Sequence, residues 1–319
     1  MAYETISLTN IQRLLAFAGA LALLNFLDNT SPASNYERRY LQAAEPNAAV
    51  GSSKPVMATF FETVEGGCCG MTEQGHQNLL NAWKEAWAAN GWETKILTEK
   101  DARKHPEFEI MKDKLLKVGV SEYNQRCFWR WLAMAVDDSK NGGWMSDYDF
   151  FPLTLTGELG LELAKRPGFK SWAAHVPTLI HADNQGWRQL SSLMIDAISE
   201  DFGLEKITDM FVLKLLHDFL TEDELGVTLW RNNYSYGFPY SAKYGDEGPQ
   251  IDCELANKLG AHLSHYAVGE LAEEKKNYPY IEGMQKGEGV LRRAEAALIM
   301  LRDYREKCAN KGEAVSASV

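Results

Sequence analysis

The sequence predicts an α/β protein with a Rossmann-type sheet flanked by helices, and three consecutive segments support that prediction. Val56 to Thr63 is a short apolar run that leads into a glycine-rich stretch, as buried central strands often do. The next segment predicts a helix that ends at Asn90-Gly91, because apolar residues recur at helical spacing: Leu79, Leu80, Trp83, Ala86 and Trp87. Trp92 to Leu97 predicts a second strand. A strand, a helix and a strand in this order imply parallel pairing.

The remaining elements continue this alternation of strands and helices. Gly142 to Phe151 (GGWMSDYDFF) predicts a turn, a short strand and its exit. Apolar residues at helical spacing predict further helices over Glu122 to Asp138, Gln185 to Ser199, Ile207 to Phe219 and Val290 to Lys307. Tryptophans 83, 87 and 92 are expected in the core. No internal repeat is present that would predict a solenoid.

The two ends of the chain differ in composition from the middle. Residues 14–27 (LLAFAGALALLNFL) form an apolar segment, shorter than the roughly 20 residues of a membrane-spanning helix. Three interpretations stay open for residues 1–27: a signal anchor, a cleaved signal peptide or an ordinary buried helix. Residues 28–54 are small and polar and predict a flexible stem. The folded domain is expected over 55–308, followed by a disordered tail over 309–319.

The charge and the cysteine content exclude some classes of function. The formal net charge of −11 makes nucleic acid an unfavourable partner, because an acidic protein repels phosphate backbones. The five cysteines include no C-x-x-C pair, so a zinc ribbon is not expected. Five is odd, so at least one thiol stays free or pairs between chains, and Cys68 and Cys69 can take different partners. Five buried thiols are the alternative.

Asp147-Tyr148-Asp149 is the most informative motif. In an extended chain, residues two apart point the same way, so both carboxylates can hold one hard divalent cation. A D-x-D alone is common by chance, and a solvated turn is its default interpretation. Its context favours a site, because the pair follows Gly142-Gly143 and a short apolar strand. Ligand sites of α/β proteins lie at the carboxyl ends of strands.

These residues carry a resemblance to a known family. The stretch from Arg126 to Leu153 resembles the sugar-binding D-x-D region of GT-A-fold glycosyltransferases, in particular eukaryotic α-mannosyl- and α-galactosyl-transferase-like proteins. In order along the chain, the matching positions are Arg130, Gly142, Gly143, Trp144, Asp147 and Asp149. A weaker likeness extends over roughly Pro55 to Leu301. The segment Tyr123-Asn124-Gln125 departs from the family, in which an acidic residue usually precedes the helix arginine.

The resemblance implies a GT-A-like mixed sheet and a set of site residues. Asp147 and Asp149 would bind Mn²⁺ or Mg²⁺, with His262 or His265 as a further ligand; each histidine can instead hydrogen-bond within the core. Arg130 would contact the diphosphate or the donor sugar. Phe61 would stack on the base and Glu62 would accept from the ribose. These are the expected ligands of the cation and of the nucleotide.

Two further expectations concern the acceptor side of the site. Asp209 would face the acceptor hydroxyl or the reacting sugar carbon; alternatively, it only favours the first turn of a helix capped by Thr208. Asp183 and Trp187 are candidates for the acceptor side, although Trp187 also suits the core. The catalytic assignment of Asp209 therefore comes from the resemblance.

The predicted function is the metal-dependent transfer of a sugar from a nucleotide-sugar donor to a glycan or other hydroxyl acceptor. The resemblance implies retention of the anomeric configuration. The apolar N-terminal segment and the sequons at Asn29 and Asn233 predict a Golgi or endoplasmic reticulum membrane protein with a lumenal domain, or a secreted one if the segment is cleaved. A metal-dependent phosphohydrolase and a non-catalytic carbohydrate-binding relative are the alternatives. Phe151 opposes the phosphohydrolase, since the aspartyl-nucleophile motif has a hydroxylated residue there.

Overall fold

The structure, a computed structural model, describes residues 54–64, 70–137, 143–165, 168–198, 207–219, 227–229, 233–241 and 248–309. The predicted anchor, nearly all of the predicted stem and tail, Cys68, Cys69 and Asn29 lie outside these residues. Within the described part of the chain, no helix is both long enough and apolar enough to cross a membrane. The membrane segment therefore stays a prediction.

The main sheet of the described chain has six strands in the order β2-β1-β3-β6-β5-β7. Its strands are β1 (Val56–Phe60), β2 (Glu93–Leu97), β3 (Gly143–Ser146), β5 (Phe169–Ser171), β6 (Leu179–Ala182) and β7 (Val227–Leu229). β1 pairs parallel with β2 and β3, and β5 pairs parallel with β7, whereas β6 runs antiparallel to β3 and β5. The predicted mixed α/β sheet flanked by helices is confirmed.

A second sheet has three strands in the order β4-β11-β8, and a strand pair joins β9 to β10. These strands are β4 (Phe150–Pro152), β8 (Tyr234–Tyr236), β9 (Tyr240–Ser241), β10 (Gln250–Ile251) and β11 (Gly260–His262). β11 runs antiparallel to β4 and parallel to β8. Only residues 147–149 separate β3 from β4, so the acidic motif connects the main sheet to the second sheet.

The helices lie on both faces of the main sheet. They are α1 (Glu73–Ala89), α2 (Glu99–Ala102), α3 (Phe108–Lys117), α4 (Glu122–Ala135), α5 (Gly157–Ala164), α6 (Asn184–Ala197), α7 (Asp209–Phe219), α8 (Cys253–Ala256), α9 (Ala272–Lys275) and α10 (Arg293–Lys307), with a π-helix over Ala267–Leu271. α1 packs with α10, and α4 packs with α6. Successive strand residues point to opposite faces, so Met57 belongs to the core beside α1 and Ala58 to the core beside α4.

The predicted elements exist, and their ends differ from the predictions by a few residues. β1 ends at Phe60 rather than Thr63, although the Phe61 amide still donates to the Leu97 carbonyl at 3.0 Å. α4 ends at Ala135 rather than Asp138. The three tryptophans predicted to be in the core are at most 1% exposed. A disulfide joins Cys253 in α8 to Cys308 after α10, with Cα atoms 5.3 Å apart, and Cys127 is a free thiol.

Candidate metal centre and cavity

The acidic motif adopts a tight turn rather than the extended conformation that the sequence predicted. The Asp147 amide donates to the Thr178 carbonyl at 3.0 Å, which continues the pairing of β3 with β6. The Phe150 amide then donates to the Asp147 carbonyl at 3.0 Å and closes the turn. Tyr148 takes part in a separate aromatic cluster, where its hydroxyl lies 3.0 Å from His76 Nδ1.

His262 completes a cluster with the two aspartates. It is the last residue of β11 and pairs with Phe150 of β4, which places it beside the turn. Its Nε2 lies 3.3 Å from Asp149 Oδ1 and 3.8 Å from Asp147 Oδ2. One ligand atom from each residue lies within 4.8 Å of the other two. Two carboxylates and one imidazole are donors that suit Mn²⁺ or Mg²⁺, so these residues fit the predicted cation.

Arg293 supports this cluster from the buried side. The arginine is 2% exposed, and its Nη1 donates to Asp149 Oδ2 at 2.9 Å and to the Leu263 carbonyl at 2.9 Å. The Leu263 amide in turn donates to the Asp149 carbonyl at 2.8 Å. Hydrogen bonds therefore hold both the carboxylate and the backbone carbonyl of Asp149.

The charges around the cluster set the ionisation of its members. Burial opposes the ionisation of Asp149, but the charges of His262 and Arg293 outweigh it and hold the pKa of Asp149 below its usual range. Burial and the neighbouring Asp149 raise the pKa of Asp147 against the effect of Arg130. Burial would lower the pKa of His262, but the Asp149 carboxylate overcomes it and the pKa is raised. The ionisation of Asp149 is thus linked to that of Asp147 and of His262.

Arg130 of α4 connects the cluster to Asp209. Its Nη1 donates to Asp147 Oδ1 at 2.6 Å, and its Nε donates to Asp209 Oδ2 at 2.8 Å. The same Oδ2 accepts from Trp131 Nε1 at 3.0 Å, and Oδ1 accepts from the Met210 amide at 2.9 Å. Asp209 is only 2% exposed. This geometry makes Asp209 a positioning residue for Arg130, and its catalytic role stays a prediction.

The cluster lies in the wall of a cavity of about 760 Å³. The residues predicted to bind the cation and the nucleotide line this cavity, together with Asp209: Phe61, Glu62, Arg130, Asp147, Asp149, Asp209, His262 and His265. His265 lies outside the three-residue metal cluster, so the structure favours His262 as the third ligand. The ring of Phe61 contacts that of Tyr148, with centroids 5.3 Å apart. Glu62 Oε1 accepts from the Glu99 amide at 2.7 Å.

Asp183 and Trp187, the two candidates for the acceptor side, have structural roles, and for Trp187 the alternative of core packing is confirmed. Asp183 is the N-cap of α6 and accepts from the Gly186 amide at 2.7 Å and the Gly168 amide at 2.9 Å. Trp187 is 1% exposed in the core, where its Nε1 donates to the Gly143 carbonyl at 3.1 Å. Neither residue lines the cavity. Helix capping and core packing account for both.

Several lining residues were not predicted as site residues. Arg293 begins a charged helix, and a single arginine in such a helix carries no sequence signal of burial. The Tyr234-Ser235-Tyr236 segment places two aromatic residues on one side of a strand, but three residues are too few to identify that strand from the sequence. Cys127 also lines the cavity, and burial raises the pKa of its thiol to about 12, so it stays protonated near neutral pH.

A family described as "Domain of unknown function (DUF8765)" matches residues 51–181 of the chain. That stretch includes Arg130, Asp147 and Asp149 but neither Asp209 nor His262. No curated protein and no solved structure matches the chain.

Proposed function

We propose that this protein is a metal-dependent glycosyltransferase that transfers a sugar from a nucleotide-sugar donor to a hydroxyl acceptor. The observation that carries the proposal is the convergence of Asp147, Asp149 and His262 in the wall of a large cavity. Cavities of roughly 300–1,000 Å³ accommodate ligands of drug or cofactor size. The combination of a hard-cation site with a cavity of this size suits a nucleotide diphosphate.

The surrounding residues suit the other parts of such a donor. The three clustered residues would hold Mn²⁺ or Mg²⁺, which would supply Lewis-acid stabilisation of the departing diphosphate. Arg130 lies beside Asp147 and can place positive charge near the same phosphates. Phe61, with Tyr148, offers an aromatic surface for the base. In the reaction, the anomeric carbon exchanges its bond to a phosphate oxygen for a bond to the acceptor oxygen, and the acceptor proton leaves to the diphosphate or to water.

The position of the site in the fold supports a GT-A-like arrangement. The acidic turn follows the carboxyl end of β3, next to the parallel strand β1, and ligands of α/β sheets bind at such ends. Phe151, where an aspartyl phosphatase motif needs a hydroxylated residue, is fully buried. Retention of anomeric configuration and a Golgi or endoplasmic reticulum location are parts of the same proposal. The disulfide between Cys253 and Cys308 suits an oxidising compartment.

The proposal is tested by the turnover of nucleotide sugars with mixed hydroxyl acceptors in the presence of Mn²⁺. We expect transfer that EDTA abolishes, and a loss of at least about 100-fold in Asp149→Asn and Asp147→Asn, because each removes a charged oxygen ligand. Asp113→Asn is the matched control, since Asp113 is exposed on α3. Thermal melting and circular dichroism check that the variants fold.

Three outcomes would contradict the proposal in different ways. Full wild-type turnover in EDTA would remove the role of the metal. Nucleotide-sugar binding without transfer to any acceptor would indicate a non-catalytic relative. Release of phosphate from monoesters, with no sugar transferred, would indicate a phosphohydrolase.

A further inference from the structure

We propose that one wall of the cavity is the acceptor subsite and that it binds a neutral saccharide. This tyrosine wall consists of Tyr234, Tyr236, Ser264 and Tyr266, all of which line the cavity. The inference deepens the proposed function, because it names the chemical class of the second substrate. It depends on the position of the wall beside the metal cluster and on the character of its side chains.

Two of these tyrosines are half exposed. Tyr236 and Tyr266 are each 46% exposed, so about half of each large side chain faces solvent. A lone exposed aromatic residue needs no explanation, but two that line one cavity suggest a binding surface. Tyrosine rings stack on the apolar C–H face of a pyranose, and their hydroxyls can bond the sugar hydroxyls.

The wall directly adjoins the candidate metal centre. In the pairing of β8 with β11, Tyr236 lies opposite His262. The ring centroid of His262 lies 6.0 Å from that of Tyr236 and 6.3 Å from that of Tyr234. A saccharide stacked on this wall would therefore have its hydroxyls near the cation that holds the donor.

The backbone fixes the wall in place. Gly237 has a φ of +85°, and its amide donates to the His262 carbonyl at 2.9 Å, which ends β8 directly after Tyr236. The hydroxyl of Ser264 donates to the Tyr236 hydroxyl at 3.3 Å, and Ser264 Oγ accepts from the Ala267 amide at 3.2 Å. A π-helix begins at Ala267, immediately after Tyr266. Such helices are rare and are frequently found at functional sites.

The cavity lining has an uncharged part and a cationic part, which suit different ligands. The tyrosine wall offers hydroxyl groups and aromatic faces without a formal charge. Another part of the lining, from α4 and α7, contributes the cationic residues Arg126, Arg130 and Lys214. A diphosphate is stabilised by the cationic lining and the metal, which leaves the neutral wall for an uncharged polyhydroxylated acceptor.

The test measures donor and acceptor binding separately. Saturation-transfer NMR with neutral oligosaccharides ending in glucose, galactose, mannose or N-acetylglucosamine is performed on the full chain without donor. We expect binding by the wild type and its loss in Tyr236→Ala and Tyr266→Ala. In transfer assays, we expect the acceptor KM to rise about tenfold in each variant, while the donor KM changes by less than about twofold. Tyr236→Phe should keep most of the affinity because it keeps the ring.

Tyr280→Ala is the matched control, because Tyr280 is 72% exposed and does not line the cavity. If the wild type transfers sugar but the alanine variants raise the donor KM instead of the acceptor KM, the assignment of the wall is wrong and the glycosyltransferase proposal stands. If no nucleotide sugar binds but saccharide binding is lost in the variants, the transferase proposal fails and the wall stands as a carbohydrate site. If no saccharide of the panel binds and acceptor KM values do not change, the assignment is overturned.

Discussion

At the scale of single residues, Arg293 shows how strongly the candidate site depends on a group outside it. The arginine is buried and bonds both to the Asp149 carboxylate and to the Leu263 carbonyl. Replacing both members of a buried ion pair by apolar residues need not destabilise a protein. Removing only one member does destabilise it, because the other charge is left buried without a partner. The orientation of Asp149 towards His262 therefore depends on Arg293.

Arg293→Met is expected to lower the free energy of unfolding by about 3–5 kcal/mol, the cost of breaking a buried ion pair. It should also weaken Mn²⁺ binding by about 10–100-fold, because Asp149 loses its orienting partner. Urea denaturation and calorimetric titration with Mn²⁺ measure these effects. Arg292→Met is the control, since Arg292 lies just before the helix and its side chain bonds the exposed carboxylate of Glu295 and the Glu282 carbonyl. Equal effects of both substitutions would refute the role of Arg293.

At the scale of elements, strand β11 is placed by close packing at its first residue. A Cβ atom at Gly260 would lie 2.4 Å from the ring of Phe150 and 2.5 Å from the Phe151 carbonyl oxygen. The ring is fully buried and the oxygen belongs to the paired strand β4, so neither can move freely. Glycine at position 260 allows β11 to approach β4 closely, and this approach brings His262 to Asp149.

Gly260→Ala is expected to lower the free energy of unfolding by about 1–3 kcal/mol through overpacking. It should also reduce Mn²⁺ affinity, because β11 must move and His262 is two residues away. Gly75→Ala is the control, because the added methyl would mainly meet the flexible end of Met71 at 3.1 Å. A stable Gly260→Ala protein with unchanged metal affinity would show that β11 tolerates the methyl group.

The sequence predicts the long elements and misses the short ones for a physical reason. α1 has five apolar residues at helical spacing, which shows its period, and β1 lies in a short apolar run, so both elements can be recognised from local sequence. β8 and β11 contain three residues each, which is too short for a period to be recognised. Asp147 and Asp149 are only two residues apart in the sequence, so their pairing was predictable, whereas the choice of His262 over His265 depends on the register of β11 against β4. The contact of Arg293 with Asp149 is likewise a tertiary contact without a local signal.

At the scale of the whole molecule, the disulfide secures the C-terminal helix that carries Arg293. Arg293 begins α10, and Cys308 follows the last residue of that helix. The bond to Cys253 closes a loop with a sequence separation of 55 residues. A crosslink over such a distance restricts the unfolded chain and stabilises the folded state.

Reduction of this disulfide is expected to lower the free energy of unfolding by about 4 kcal/mol, by the loop-entropy estimate. Urea denaturation with and without dithiothreitol measures the effect. The Cys253→Ser/Cys308→Ser double variant should match the reduced wild type and lose this sensitivity to dithiothreitol. Cys127→Ser should retain it, because Cys127 is a free thiol. A wild-type protein with the same denaturation midpoint in both conditions would contradict the prediction.

The acidic turn between β3 and β4 has a consequence for the transfer of this chemistry to other proteins. Asp147 directly follows β3 of the main sheet, and Asp149 directly precedes β4 of the second sheet. His262 ends β11, which pairs with β4 in the second sheet. An ion bound by these three side chains would contact residues of both sheets. The binding of the ion and the packing of the two sheets against each other would then be thermodynamically linked. Grafting the acidic tripeptide onto a foreign scaffold would thus transplant only part of the coordination sphere, and the imidazole would be missing unless its strand were transplanted as well.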